Sequence, residues 1–300
     1  MVVLLGLAAA VLYGGGDFLG GMATRRAHVL TVLMLVETAA VILAVVVAVV
    51  SGGPASLPGL AWGFSAGVIG GLGLIIFYVG LAAGPMSVVA PVSGLVATIL
   101  PVAVALAEGE RPGVGVYAGG LLCLVAIVLA SSASETAEAG DPGHTGRTGR
   151  TGLARPPRRL GRAIAYGTAS GVSFGLFFLL IRNAGQSGEV WPVAAGRIGE
   201  LAVVLAAAAV LRPGLLRGLD GGFRGGIPLA AASAGVIDVV ANLCYVAATR
   251  TGSFGLAVVL ASLYPGVTVL LARVVLGERL RWIQRAGLAL AAVGILLVTV

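Results

Sequence analysis

Residues 65–69 read Ser-Ala-Gly-Val-Ile, and residues 233–237 read Ser-Ala-Gly-Val-Ile again, 168 positions later. The same offset carries Gly109-Glu110-Arg111 onto Gly277-Glu278-Arg279 and aligns 65–132 with 233–300 without a gap. Sixteen of those 68 pairs are identical, about twice what chance gives in a chain so rich in Ala, Val, Leu and Gly. Nearer the start, Val11, Tyr13 and Gly14 line up with Val172, Phe174 and Gly175. The chain is therefore read as two related halves.

Composition restricts what those halves can be. Of 300 residues, 58% are hydrophobic and 10% charged, against about 25% charge in a soluble chain. Mean hydropathy is +1.06. Gly supplies 48 residues, about twice the usual share. This balance excludes a soluble enzyme, a disordered chain and a disulfide scaffold. It leaves an all-α, polytopic membrane protein whose helices pack through small residues. Crossing a hydrocarbon core of about 30 Å takes about 20 apolar residues in a helix. Ten such stretches are predicted: 2–22, 29–50, 60–83, 86–107, 113–132, 161–182, 190–211, 227–249, 252–275 and 281–300. Trp62, Trp191 and Trp282 each fall near the start of a span, where an aromatic belt sits at the headgroups. The first span has no basic residue ahead of it and carries Asp17, so it is read as a retained helix rather than a cleaved signal peptide.

Residues 133–160 break the pattern. They hold a Gly/Thr/Arg repeat and Arg-Pro-Pro-Arg-Arg, with almost nothing apolar to bury, and read as a flexible basic linker. The expected domains are a five-helix repeat over 1–132, the linker over 133–160, and a second five-helix repeat over 161–300. An odd number of spans per half makes the second half enter from the opposite face. That is an inverted repeat, an architecture of many secondary transporters.

Ten spans, the five-plus-five repeat and a Gly-Glu-Arg after the fourth helix of each half resemble the EamA-type family of the drug/metabolite transporter superfamily. Tyr264-Pro265 to Gly277-Glu278-Arg279 is the nearest local match, while Ala97 stands in the first half where the second has Pro265. The resemblance implies secondary transport by alternating access through a central cavity, with the first helix of each half contributing to its wall. It leaves the substrate open among amino acids, nucleobases, sugars and drugs.

The 19 basic residues are all Arg. Counted by loop, fourteen lie on the linker side and three on the side of the termini. The excess is read as a topology signal that puts the linker in the cytoplasm and the termini outside, not as a nucleic-acid surface. The resemblance implies the opposite orientation.

An ionisable group costs at least about 2.5–3.5 kcal/mol at the centre of a span, so those that persist are functional candidates. In the eighth helix Asp238, Asn242, Tyr245 and Thr249 share one stripe, suited to a polar ligand or to hydrogen bonds between helices. The matching third-helix positions Gly70, Leu74, Phe77 and Leu81 carry no such groups. In the fourth helix Ser87, Pro91, Gly94, Thr98 and Pro101 share a face, and each Pro frees a carbonyl that needs a protein or water partner. Arg197 and Glu200 stand three apart, at ion-pair spacing. Glu37 aligns with Glu200 but has Met34 where the seventh helix has Arg197. It is read either as an unpaired carboxylate able to carry a proton or as a hydrogen-bonded structural acid. Asp17 stands either at the cavity or at the membrane edge, and Phe177 is a weaker wall candidate than Phe174. Small-xxx-small pairs such as Gly63/Gly67, Gly67/Gly71 and Gly171/Gly175 are read as close helix packing. Cys123 and Cys244 are read as packing residues, and His28 and His144 lie in loops.

Together these readings give a secondary active transporter of the plasma (inner) membrane, bacterial, exporting a small metabolite or drug and driven by protons or exchange. Expected substrate-binding residues are Tyr13, Thr98, Phe174, Asp238, Asn242 and Tyr245, and the proton-coupling candidates are Asp17, Glu37 and Glu200. No metal, cofactor, ATP motif or nucleic-acid partner is expected; the partners are the substrate, the bilayer and protons, with a homodimer left open. A channel-like or scaffold role and lipid flipping remain alternatives. An enzyme is disfavoured, since no intramembrane His, and no Ser or Cys beside a base, supplies a reactive set.

Overall fold

The computed structural model describes residues 1–24, 27–83, 86–109, 113–132, 157–185, 190–211, 226–275 and 282–299. Among these, all regular structure is helical: α1 (Val2–Thr24), α2 (Val29–Ser51), α3 (Leu57–Ala83), α4 (Met86–Ala107), α5 (Val114–Ser132), α6 (Pro157–Gly185), α7 (Val190–Leu211), α8 (Ile227–Thr251), α9 (Phe254–Ala261), α10 (Tyr264–Val275) and α11 (Trp282–Thr299). Six of them, α1, α2, α3, α6, α7 and α8, are long and apolar enough to cross a membrane. Residues 133–156 of the expected linker, Glu110-Arg111 and Gly277-Glu278-Arg279 lie outside the described residues. The last residues assigned to the linker belong to α6, which opens on Pro157, a residue whose missing N–H is no loss in the first helical turn. Gly109, just past α4, sits at φ 92, a left-handed conformation in which a glycine is favoured.

The span expected at 252–275 is not one helix. It divides into α9 and α10 around Ser262 and Leu263. Pro265 has no N–H to give the Ala261 carbonyl. The chain tightens there, with Leu263 N–H donating to the Leu260 carbonyl at 3.3 Å and the Ser262 hydroxyl donating to the Val259 carbonyl at 2.8 Å.

The spans are apolar all round, so side-chain size rather than polarity selects the packed face. On α2, Ala40, Ala44 and Ala48 are buried one turn apart, while Ile42, Val46 and Val49 point outward. Lipid solvates a large aliphatic side chain as well as protein does, whereas a small one lets two backbones approach. The glycines extend this rule. A Cβ on Gly67 would run into the Gly196 backbone of α7, and one on Gly63 into Pro192. A Cβ on Gly235 would run into the Val36 carbonyl of α2. The glycine inside the repeated Ser-Ala-Gly-Val-Ile therefore does the same task twice: it seats the third helix of one half on the second helix of the other. Gly171 and Gly175 likewise bring α6 against the α4 backbone at Ser93 and Ala97.

The packing is reciprocal between halves. Helix α1 lies along α8 as α6 lies along α3; α2 meets α8 as α7 meets α3; α9 and α10 meet α1 as α4 meets α6. Three pairs map onto themselves under this exchange, α2 with α7, α4 with α9, and α5 with α11. Where α4 and α6 end and α9 begins, Arg182 bonds Glu108 at 2.7 Å and lies 4.1 Å over the Phe254 ring, tying the two halves at that end.

Gly67→Leu and Gly235→Leu should each lower the thermal midpoint of the purified protein in detergent, by the equivalent of about 1–3 kcal/mol of overpacking. Gly15 faces open space, so Gly15→Ala should leave the midpoint unchanged or raise it by up to about 1 kcal/mol. Equal midpoints for the Gly67 and Gly15 variants would refute the backbone contact.

Candidate functional site

Between the halves, three carboxylates from three helices converge on one guanidinium. Arg197 Nη1 on α7 lies 2.6 Å from Glu200 one turn on, 3.7 Å from Glu37 on α2, and in direct contact with Asp238 on α8. Arg197, Glu200 and Glu37 are all at least 97% buried, and Asp238 is partly open. A single Nη1 carries two hydrogens, so it cannot bond three carboxylates at once. Glu37 Oε2 and Glu200 Oε2 lack a hydrogen-bond partner among the described residues, although both stand in the ion-pair cluster. When every group is ionised the cluster is two negative charges in excess. A charge buried without its counter-charge is costly, and the arrangement therefore favours an additional positive group.

The cluster opens into a cavity of about 80 Å³. Its polar lining is Arg197, Glu200, Asp238, Asn242 and Asp17; its apolar lining is Tyr13, Phe77, Phe174, Phe177, Phe178, Tyr264 and Leu74, beside Gly70. The rings meet edge to face: Tyr13 on Phe178 at 6.4 Å and on Tyr264 at 6.2 Å, and Phe77 on Phe174 at 5.9 Å. That geometry sets the positive edge of one ring on the negative face of another. A second cavity of about 40 Å³ adjoins the first through Asp17, Leu74 and Asp238, and is lined also by Glu37 and Tyr78.

The residues expected from sequence separate into two groups. Tyr13, Phe174, Asp238 and Asn242 line the first cavity, with Asp17 and Glu200; Glu37 lines the second. Asn242 donates its amide N–H to the Asp238 carbonyl at 2.9 Å, leaving its Oδ1 buried with no partner among the described residues. Tyr245 lies away from both cavities. It packs 4.8 Å from the Phe178 ring, and its hydroxyl donates to the Phe178 carbonyl at 3.3 Å. Thr249 donates back to the Val246 carbonyl. Thr98 is buried and donates to the Gly94 carbonyl at 2.8 Å, away from both cavities. The side chains of Ser87 and Pro91 lie outside the described residues.

One expectation is corrected. Glu37 is not an unpaired acid, because α7 packs on α2 and brings Arg197 to it from the other half. The ion-pair spacing of Arg197 and Glu200 is realised, but as one arm of a larger cluster. Sequence reading passed over Leu74, Phe77, Phe178 and Tyr264 as wall residues. The repeat carried the signal for one of them, since 168 positions separate Leu74 from Asn242, as they separate Gly70, which also lines the cavity, from Asp238. Equivalent third-helix and eighth-helix positions face one cavity from opposite sides, one apolar and one polar. Tyr264 is turned to the cavity where α10 begins, immediately before Pro265.

Among known families, the model of the EamA-like transporter family, part of the drug/metabolite transporter superfamily, matches residues 161–300. No curated protein matches the chain. A solved structure described as "Crystal structure of protein" is similar over 99% of this chain and 96% of that chain, with a TM-score of 0.73 and 19% identity. That likeness concerns the fold.

Arg197→Gln leaves buried carboxylates without their cation, and should cost about 3–5 kcal/mol, read as a lowered thermal midpoint of the purified protein. Adding Asp238→Asn should recover part of the loss. If the double variant is as unstable as the sum of its two single variants, the coupling is absent.

Proposed function

We propose that this chain, whose residues 161–300 match the model of the EamA-like transporter family, is a secondary active transporter that exports a small molecule by alternating access. The observation that carries this reading is a cavity between the two halves lined by both charged and aromatic side chains, in a chain with several helices long and apolar enough to cross a membrane. The ten-span inverted repeat is part of the proposal. Its support is the reciprocal packing of the halves, with α9 and α10 together forming one span. Rocking the halves against each other would then expose the chamber to each side in turn.

In this scheme Asp238 and Asn242 hold the polar part of the substrate. Tyr13 and Phe174 cover its apolar part. Tyr245 and Thr98 act from behind, Tyr245 by fixing the Phe178 backbone. Arg197 sets the charge balance. A proton bound among Glu37, Glu200 and Asp238, or on Asp17 beside them, would offset the excess of carboxylate; its release would accompany substrate exchange. The Arg distribution is read as setting the linker on the cytoplasmic face of a bacterial plasma membrane, and export by proton antiport is part of this proposal.

The test is transport by purified protein in proteoliposomes. A labelled substrate should show saturable uptake and counterflow, and an imposed pH gradient should drive its accumulation. Asp238→Asn should reduce gradient-driven accumulation by about tenfold or more, in line with the several kcal/mol that an intramembrane charge commands. Flux that never saturates and shows no counterflow identifies a channel instead. Unchanged transport and unchanged pH dependence in Asp238→Asn remove Asp238 from the scheme.

A further inference from the structure

The four buried side-chain atoms around the two cavities that lack a hydrogen-bond partner among the described residues are Tyr13 Oη, Glu37 Oε2, Glu200 Oε2 and Asn242 Oδ1. Three of the four can only accept if the carboxylates are ionised. The amide of Asn242 cannot be turned round to relieve this, because its N–H₂ already donates to the Asp238 carbonyl. The nearby cationic donor, Arg197, has committed one nitrogen to three carboxylates. With its carboxylates ionised, the site therefore has acceptors and negative charge in surplus, which a positive group carrying N–H donors would meet. The same cavity is lined by aromatic rings, among them Phe174 and Phe178. Ring faces attract a cation and shelter a flat apolar body.

We propose that the chamber binds a protonated amine: an organic cation that has at least two N–H donors at one end and a flat apolar group at the other. Its ammonium seats between Asp238, Glu200 and Asn242 Oδ1, and its apolar group lies among the rings. An anion would add to the existing excess of negative charge. A quaternary ammonium would balance the charge and leave the acceptors unmet. This assignment rests on the chamber being the transport site, and it names the substrate class of that site.

The experiment uses the full chain, purified in detergent, with four probes of one shape: 2-phenylethylamine, its N,N,N-trimethyl derivative, 2-phenylethanol and 3-phenylpropanoate. Each is titrated by calorimetry and by thermal shift, since a ligand that binds the folded state raises its stability by mass action. The amine should bind and raise the midpoint. The trimethyl derivative should bind about tenfold more weakly, as expected for lost charge-assisted hydrogen bonds. The alcohol and the acid should show no measurable binding. Asn242→Leu should weaken amine binding by about tenfold and leave the trimethyl derivative nearly unaffected, which a merely structural role would not do. The four-probe comparison on the unaltered chain holds even if that variant does not fold. The alcohol or acid binding as tightly as the amine overturns the assignment, and so does the absence of amine binding to folded protein. Counterflow in proteoliposomes separates this from the transporter reading. Amine binding without counterflow of the amine keeps the ligand class and removes transport; counterflow of the acid without amine binding does the reverse.

Discussion

Three carboxylates on one buried guanidinium is the constraint around which the centre of this molecule is organised. Arg197 sits on α7, yet it meets groups from α2 and α8 as well as from its own helix. A charge in a low-dielectric bundle persists only with partners. The partners here come from both halves, so the cluster joins them at the depth where the cavities lie. It is also short of positive charge, which makes it a place where a proton or a cationic ligand is stabilised.

That cluster can form only because the helices carrying it come unusually near one another. Hydrophobic burial does not drive helices together in lipid, since both environments are apolar. Contact comes instead from backbone approach at glycine and alanine. Gly67 of α3, packed against α7, and Gly235 of α8, packed against α2, are two uses of the same motif. Each sits one turn or so from the groups at stake: Gly235 precedes Asp238 on α8, and Gly196, which receives Gly67, precedes Arg197. Small residues thus fix the separation of helices, and that separation fixes which charges can touch.

The two halves have kept their packing and divided their chemistry. Positions 70 and 74 of α3 and positions 238 and 242 of α8 face the same cavity, as glycine and leucine on one side and as aspartate and asparagine on the other. An amphipathic chamber results from symmetric packing with asymmetric side chains. The break before Pro265 adds a further difference, because it puts Tyr264 on the cavity wall where the first half has Val96.

Much of this was legible from residues alone. Low charge and long apolar runs establish a polytopic membrane helix bundle, because the bilayer demands internally satisfied backbone over a known thickness. The repeated Ser-Ala-Gly-Val-Ile announces two related halves, and the stripe Asp238–Asn242 marks the polar helix, since periodicity along one helix is a local property. Tyr13, Phe174 and Glu200, singled out from sequence, line the first cavity, and so does Asp17, which sequence left between the cavity and the membrane edge. What depends on distance between helices was not legible. Tyr245 shares a stripe with the cavity residues Asp238 and Asn242 but closes its hydrogen bond onto Phe178, and Thr98 closes its own onto Gly94. Glu37 looked unpaired because its counter-ion lies on a helix of the other half. Sequence by itself thus determined the solvent, the helices and the repeat, all of which follow from local composition and period. Only tertiary structure decided the partner of each charge and the wall of each cavity. Those depend on which backbone a glycine allows to come near.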